Sequence, residues 1–309
     1  MVNYMHNLRN KYFNLLALLF IIVIISFYIL QDQNITSYKS YDSILEPFGY
    51  NNNLYSGKNI VVAIIDTGIQ IFDDNDEQLI FFKDFTSDKV KPYDDNGHGT
   101  AVANIIGMKV DGLEEQIGIA QDIKIVSLKV FNKDGKADIK NLEQCLDWII
   151  NHGKKFGINI ISMPLSYDQN LATNIESKIL TLCQDYTIIA AAGNKSRNQG
   201  PGYLSEVISV GSIDSSKKSD KYEVAVFSPN FFTRTLYNKP DVFSPGVDIP
   251  IYSINKKSYI LSEGTSFSSA IVTGYVSLLY EKYPYQSTNF YYELILKNTN
   301  KDGVLYFIL

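Results

Sequence analysis

Three short segments of the sequence carry the residue types that nucleophilic catalysis requires. Asp66 closes the apolar run VVAIIDTG, His98 lies between two glycines in DDNGHGTAVANIIG, and Ser266 lies in the small-residue turn EGTSFSSAIVTG. A serine hydroxyl becomes a nucleophile when an imidazole accepts its proton and a carboxylate orients that imidazole. The three segments together therefore indicate acyl-transfer chemistry.

Each of these residues also has a structural interpretation. Asp66 before Thr-Gly is compatible with a turn or a helix cap, and Ser266 after Gly-Thr is compatible with a plain N-cap. A histidine at the start of a helix is more often structural than catalytic. The choice of base is narrow, however, because the chain has three histidines. His6 precedes a long apolar segment and His152 suits the C-terminal end of a helix, so His98 is the only good candidate for an imidazole base.

The surrounding pattern predicts the elements that position these residues. Nearly continuous β-branched runs are typical of strands buried on both faces of a parallel sheet, and they occupy 59–66, 124–131, 159–165, 187–192 and 207–213. Helical periodicity follows between and after them, at 139–152 (with Asp138 as N-cap and Gly153 as C′ residue), 171–185, 266–282 and 288–298. We expect a three-layer, doubly wound α/β domain with a mostly parallel sheet, in which reactive groups gather at the carboxyl ends of the strands.

The motifs DTG, GHGT and GTSFS, in the chain order Asp, His, Ser, resemble those of the subtilisin family. The resemblance extends from about residue 57 to about residue 285. It implies a subtilisin-like fold and a serine endopeptidase in which Ser266 is the nucleophile, His98 the general base and Asp66 the carboxylate that orients the base.

The resemblance also implies further site residues. Asn194 ends AAAGN, at the position whose side-chain amide forms the family's oxyanion hole with the backbone N–H of the nucleophile. The segments DGKAD and SMPLSY resemble the two strands that flank the family's substrate cleft. An extended peptide is therefore expected to pair with both strands by β-augmentation, through Gly135, Lys136 and Ala137 on one side and Leu165, Ser166 and Tyr167 on the other.

The sequence departs from the family pattern at several positions, none of which removes a catalytic group. The nucleophile motif reads SFSSA over 266–270 and lacks the usual proline, and Ala101 follows GHGT where many members carry a second histidine. Pro164 and Ser166 stand where serine and glycine are common. Proline has no N–H to donate, so it changes the expected pairing with a peptide.

Composition excludes several classes of function. The net charge of −5 and the absence of a basic stripe argue against nucleic-acid binding. The two cysteines, Cys145 and Cys183, are far apart, and we interpret them as small buried residues rather than a disulfide. No metal-ligand spacing is present, so we expect no metal and no cofactor. Some family members bind structural Ca²⁺, but no matching ligand loop is evident.

The N-terminus predicts a membrane-associated segment. Residues 12–30 are uncharged, follow Arg9 and Lys11, and are long enough to approach the hydrocarbon thickness of a bilayer. We therefore expect residues 1–11 in the cytoplasm and the rest outside. The segment is either a signal anchor or a signal peptide, and the missing A-x-A-like cleavage site favours the anchor. Residues 31–57 are expected to form a polar linker and 58–309 the peptidase domain.

The predicted linker bears on the role of the protein. Residues 31–57 are too few for a folded propeptide with its own core. We therefore expect limited processing of exported peptide precursors, as in the subtilisin-like peptidases that trim leaders from bacteriocin or lanthipeptide precursors. Two alternatives stay open, a broad-specificity extracellular degradative protease and a catalytically silent, membrane-tethered binding protein. The expected partner is a peptide or protein substrate, and the expected state is a monomer.

Overall fold

The computed structural model describes residues 41–51, 54–72, 77–110, 118–167, 173–195, 200–215, 222–230 and 239–309. The predicted cytoplasmic segment 1–11, the apolar segment 12–30 and residues 31–40 of the predicted linker lie outside these ranges, as do 171 and 172 of a predicted helix. Within the described ranges, no helix is both long enough and apolar enough to cross a bilayer.

The described helices and strands alternate along most of the chain. In order they are α1 (Tyr41–Leu45, followed by a 3-10 turn, Glu46–Phe48), β1 (Val61–Asp66), β2 (Leu79–Asp84), α2 (His98–Ile106), β3 (Lys124–Lys129), α3 (Ile139–His152), β4 (Ile160–Met163), α4 (Thr173–Leu182), β5 (Thr187–Ala191), β6 (Ile208–Asp214), β7 (Glu223–Val224), β8 (Val242–Pro245), β9 (Ile249–Ser253), β10 (Ser258–Ser262), α5 (Thr265–Lys282) and α6 (Thr288–Lys297).

The central sheet confirms the predicted architecture. Its strand order is β2-β3-β1-β4-β5-β6-β7, and β8 also pairs with β6. All pairings in this sheet are parallel except that of β7 with β6. The five strands expected from the sequence are neighbours in it, so the carboxyl ends of β1, β3, β4 and β5 lie along one edge.

Alternating side chains of the strands build two hydrophobic cores. In β1, Val62 and Ile64 pack into one core, and Ala63 and Ile65 pack into the other. Helices α2, α5 and α6 contribute to the first core, whereas α3 and α4 contribute to the second. The sheet thus lies between two helical layers, as a doubly wound domain requires. Both cysteines belong to the second core and are free thiols, as expected from the sequence.

Several elements were not predicted, or differ in detail. Strand β2 lies at the sheet edge and most of its residues are only partly buried, so it lacks a continuous apolar pattern.

The two predicted ends of α3 have different outcomes. Asp138 caps α3 as expected, since its side chain accepts from Lys140 N at 2.9 Å. Gly153 is right-handed, with φ of −55°, rather than a left-handed C′ residue. A Cβ there would lie 2.6 Å from the Tyr186 hydroxyl, so a glycine is needed for space.

The predicted linker differs from the structure over residues 41–50, which pack onto the domain. Tyr41, Leu45 and Phe48 are buried in the first core. The Tyr41 hydroxyl donates to Pro250 O at 2.5 Å, and the Phe307 N–H donates to Phe48 O at 2.8 Å. The polar residues between these side chains suggested a linker, but contacts with the distant β9 and C-terminal segment bury the apolar ones.

Candidate active site

Asp66 and His98 form a hydrogen-bonded pair at the carboxyl end of β1. Asp66 is the last residue of the strand and is 2% exposed, and His98 is the first residue of α2. His98 Nδ1 lies 2.8 and 2.9 Å from the two carboxylate oxygens of Asp66. The Thr67 N–H also donates to Asp66 Oδ1, at 2.6 Å. These bonds compensate the burial of the carboxylate and leave His98 Nε2 as the free ring nitrogen.

Two glycines allow the strand and the helix to approach this closely. Gly68 has a φ of 115°, and a Cβ on it would lie 2.2 Å from the Tyr93 carbonyl oxygen. A Cβ on Gly99 would lie 2.2 Å from the Gly68 carbonyl oxygen. The glycines of DTG and GHGT therefore let the turn after β1 and the N-terminus of α2 meet backbone to backbone.

The surroundings of His98 favour its charged form. Burial of the ring opposes its positive charge. Asp66 favours that charge both electrostatically and through its hydrogen bond, and the negative charge of Asp94 adds to this effect. Together these interactions outweigh burial and raise the pKa of His98 above its ordinary 6.5. The ring of Phe267 packs against the imidazole, with ring centroids 5.7 Å apart. The side chain of His98 keeps 31% exposure toward the cleft, where a substrate can reach it.

Ser266 lies in the first turn of α5 and is half-buried. Its hydroxyl donates to the Pro164 carbonyl oxygen at 2.9 Å rather than to His98. Its backbone N–H has no hydrogen-bond partner among the described residues, as is usual in the first turn of a helix. The Ser269 hydroxyl donates to the Ser266 carbonyl at 2.8 Å, so the unusual SFSSA sequence forms a regular helical start.

Asn194 follows β5 and is oriented by the residue before the nucleophile. Its Oδ1 accepts from Thr265 N at 3.0 Å and from Thr265 Oγ1 at 2.9 Å. The Gly193 N–H in turn donates to Thr265 Oγ1 at 3.2 Å. Because Oδ1 accepts both of these bonds, the amide Nδ2 of Asn194 remains available as a donor, and Asn194 and Ser266 line the same cavity. Two such donors can form an oxyanion hole.

These residues share one cavity of about 250 Å³. It brings together the predicted triad, Asn194 and three of the six predicted cleft residues, namely Gly135, Leu165 and Ser166. The other three, Lys136, Ala137 and Tyr167, are not part of its lining. Its remaining lining residues are Thr67, Asn96, Phe131, Pro164, Ala191, Gly193 and Thr265.

Backbone pairing explains why Tyr167 and Lys136 differ from the prediction. Tyr167 N–H donates to Gly200 O at 2.9 Å, and Gly200 N–H donates to Tyr167 O at 3.2 Å, so both groups are already paired. Backbone groups alternate in direction along an extended segment, so those of Ser166 and the carbonyl of Pro164 are expected on the other side, toward the cleft. The Pro164 carbonyl accepts from the Ser266 hydroxyl on that side. The backbone N–H and C=O of Lys136 are bonded to Asn132, at 3.1 and 3.0 Å.

Some site residues were not found from the sequence, although they adjoin the motifs. Asn96 Oδ1 accepts from His98 N at 3.2 Å, and its Nδ2 donates to Lys133 O at 3.0 Å, so it ties the helix start to the cleft. Thr67 directly follows Asp66 and Thr265 directly precedes Ser266. This adjacency to the predicted catalytic residues was the sequence signal that could have identified both threonines. Over the described part of the chain, no three His, Cys, Asp or Glu side chains gather as a metal site.

Comparison with known proteins places this geometry in a family. Residues 57–307 match the model of the subtilase family. The serine protease AprX of Bacillus subtilis is 29% identical over 280 residues, which cover 81% of this chain and 63% of AprX. Subtilisin DY of Bacillus licheniformis is 28% identical over 237 residues, which cover 74% of this chain and 80% of that protein. The chain thus spans less than two thirds of the length of AprX.

Solved structures show the same fold. A protein described as the S41 psychrophilic protease superposes with a TM-score of 0.72 at 22% identity, over 85% of this chain and 90% of its own. A cold-adapted subtilisin-like serine proteinase superposes with a TM-score of 0.68 at 23% identity, over 82% and 87% of the two chains. The family match over residues 57–307 includes Asp66, His98, Asn194 and Ser266. The chain therefore belongs to the subtilase family.

Proposed function

We propose that the protein is a serine endopeptidase that cleaves peptide bonds through an acyl-enzyme. The observation that carries the proposal is the Asp66–His98 hydrogen bond of 2.8 Å in a cavity that also contains Ser266 and Asn194. A buried carboxylate, an imidazole and a hydroxyl at a helix N-terminus supply the nucleophile, its base and the group that orients the base.

The first half of the reaction forms the acyl-enzyme. His98 Nε2 takes the proton of Ser266 as the hydroxyl oxygen attacks the scissile carbonyl carbon, and Asp66 stabilises the resulting imidazolium. Negative charge moves to the carbonyl oxygen, where Asn194 Nδ2 and the Ser266 N–H are the available donors. His98 then protonates the leaving amine, and the C–N bond breaks.

The second half releases the product. Water gives a proton to His98 and attacks the acyl carbon, and the same two donors stabilise the second oxyanion. His98 returns the proton to Ser266 as the ester bond breaks. The chemistry uses side chains and backbone groups of this chain and requires no cofactor.

Labelling with a fluorophosphonate tests the endopeptidase proposal. The reagent phosphonylates an activated serine, so the folded protein is expected to label at neutral pH and Ser266→Ala is expected not to label. Ser269→Ala is the matched control, because that hydroxyl lies one turn along the same helix and donates to a backbone carbonyl. Folded wild-type protein that does not label would instead support a binding protein without catalysis.

We further infer that the enzyme processes exported precursors at limited sites rather than degrading proteins broadly. The support is the short distance along the chain between the apolar segment 12–30 and the domain. Since residues 41–50 pack into the domain core, only residues 31–40 connect the two, which is too short a stretch for a folded inhibitory domain. A broadly active protease without such an inhibitor is a hazard to its own cell. Residues 12–30 would hold the domain at the outer face of the membrane.

Comparison of two substrate classes tests the processing role. Incubation with casein and with leader-bearing peptide precursors is expected to give slow, restricted cleavage of casein and a single cut in a susceptible precursor. Rapid general degradation of casein would support the degradative alternative. Fractionation of cells tests the membrane tether. The peptidase activity is expected in the membrane pellet when cells express the full chain, and in the soluble fraction when residues 12–30 are removed.

A further inference from the structure

Asp94 lies four residues before His98 and takes no part in the mechanism above. We propose that Asp94 is a positioning residue for the catalytic pair, because it fastens the turn after β1 to the N-terminus of α2 and adds a second negative charge near the His98 ring. The inference rests on the proposed endopeptidase function. Asp94 is 5% exposed, so its carboxylate is nearly as buried as that of Asp66.

The carboxylate of Asp94 accepts hydrogen bonds from both sides of the catalytic pair. Oδ1 accepts from Thr67 Oγ1 at 2.9 Å, in the turn that follows Asp66. The same oxygen accepts from the N–H groups of Asn96 at 3.1 Å and Gly97 at 2.8 Å, in the loop that leads to His98. Oδ2 accepts from Thr100 N at 2.9 Å and Thr100 Oγ1 at 2.7 Å, in the first turn of α2.

The Thr67 hydroxyl extends this connection to the helix backbone. A threonine hydroxyl has one proton, and here it is donated to Asp94, so its lone pairs are free to accept. The Gly99 N–H donates to Thr67 Oγ1 at 2.9 Å. Asp94, Thr67 and Gly99 thus link the residue after Asp66 to the residue after His98. A small change in this link would alter the 2.8 Å contact between the two catalytic side chains.

Charge gives Asp94 a second effect. Burial opposes ionisation of Asp94, but the donors from Gly97, Thr100 and Asn96 outweigh it and hold the pKa of the carboxyl below its ordinary 3.8. Asp94 is therefore negative wherever the enzyme would work, and this charge helps to raise the pKa of His98.

The other groups around His98 act differently. Asp66 faces the ring from β1 and raises its pKa directly. From α5, the Phe267 ring and the Ser266 hydroxyl carry no charge. Asp95, in the same loop as Asp94, forms an ion pair of 2.7 Å with Lys129.

Asp84 provides a matched control within the same domain. It is 9% exposed and also accepts five hydrogen bonds, from Thr86 N and Oγ1, Ser87 N and Oγ, and the Tyr93 hydroxyl. Its pKa is likewise lowered, by donors that outweigh its burial. Asp84 ends β2 at the sheet edge, and the charges that raise the pKa of His98 are those of Asp66 and Asp94. Asp84→Asn thus removes a comparable network without the catalytic connection.

The experiment compares Asp94→Asn and Asp84→Asn in the full chain, after fluorophosphonate labelling has confirmed that the wild type is active. The pH dependence of kcat/KM is measured on a peptide substrate that the wild type cleaves. For Asp94→Asn we expect kcat to fall at least about tenfold, because the catalytic pair is displaced. We also expect the acidic limb of kcat/KM to move to lower pH, because a negative charge near His98 is lost.

If the carboxylate of Asp94 had only a structural role, kcat and the acidic limb of kcat/KM would change no more in Asp94→Asn than in Asp84→Asn. The proposal is therefore overturned if the two variants share one pH profile and one kcat. An inactive wild type would overturn the proposed function as well. If Asp94→Asn does not fold, Thr67→Val and Thr86→Val decide the question. Thr86→Val removes a hydroxyl that donates to Asp84 at 2.7 Å, as Thr67→Val removes one that donates to Asp94. Thr67→Val is expected to lose kcat relative to Thr86→Val with an unchanged acidic limb, because Asp94 keeps its charge. Equal kcat in the two variants overturns the proposal.

Discussion

The hydroxyl of Ser266 donates a hydrogen bond of 2.9 Å to the backbone carbonyl of Pro164. The proposed nucleophile is thus held by the segment after β4 that is expected to pair with a peptide substrate, and not by its proposed base. Pro164 has no N–H, but its carbonyl faces the cleft and can accept from a substrate N–H. A substrate N–H that takes over this acceptor would release the Ser266 hydroxyl toward His98.

The first prediction follows from this competition for the Pro164 carbonyl. Methylation of the backbone nitrogen of the residue that supplies the scissile carbonyl should lower kcat/KM by about tenfold, the value of one hydrogen bond. The measurement compares matched peptides with and without the N-methyl group. Equal kcat/KM for the two peptides would show that the Pro164 carbonyl does not bind the substrate backbone.

The second prediction concerns the oxyanion donor. Asn194→Leu should lower kcat by about 10²–10³ with little change in KM, the magnitude known for loss of such a donor in subtilisin itself. Thr265→Val removes one of the two bonds that orient the amide and should cause a smaller loss. Steady-state kinetics on one peptide substrate measure both. A rise in KM with an unchanged kcat would assign Asn194 to ground-state binding instead.

The third prediction is the pH dependence of the wild type. His98 must be neutral to accept the Ser266 proton, and Asp66 and Asp94 outweigh burial to raise its pKa above 6.5. The acidic limb of kcat/KM should therefore have its midpoint above pH 6.5. The same raised pKa stabilises the folded state below the unfolded value, and this contribution is lost as pH rises through the folded pKa. A limb centred below pH 6.5 would contradict the assignment of His98.

The fourth prediction concerns Lys129, a buried lysine on β3. Its Nζ donates to Thr67 O at 2.5 Å, Asp95 Oδ1 at 2.7 Å and Phe131 O at 2.7 Å, and its side chain is 0% exposed. Lys129→Met keeps the volume but leaves these acceptors without their donor, so it should lower the free energy of unfolding by about 3 kcal/mol.

Denaturant unfolding measures the effect of Lys129→Met. Lys154→Met is the control, because that lysine is 75% exposed in its pair with Asp185 and should leave the midpoint unchanged. Equal midpoints for the two variants would show that the buried ammonium adds no net stability.

Much of the fold could be predicted because parallel strands buried on both faces leave a direct trace in the sequence. All five strands with continuous β-branched runs are present, and so are the helices that follow the 3.6-residue period. Strands β2 and β10 leave no such trace, because most of their side chains are only partly buried or exposed. Residues 41–50 were interpreted as a linker for another reason: polar residues separate Tyr41, Leu45 and Phe48, which only contacts with distant segments bury.

The sequence by itself determined which groups are the candidates for the chemistry: Asp66, His98, Ser266 and Asn194 are recognisable because each lies in a short motif at the end of a strand or the start of a helix. Only the tertiary structure decided how these groups are held. The hydrogen bond of Ser266 to Pro164, the pairing of Tyr167 with Gly200 and the network of Asp94 all join segments whose contact depends on how the strands stack. Hydrogen bonds of this kind depend on three-dimensional distance, which the spacing of residues along the chain does not specify.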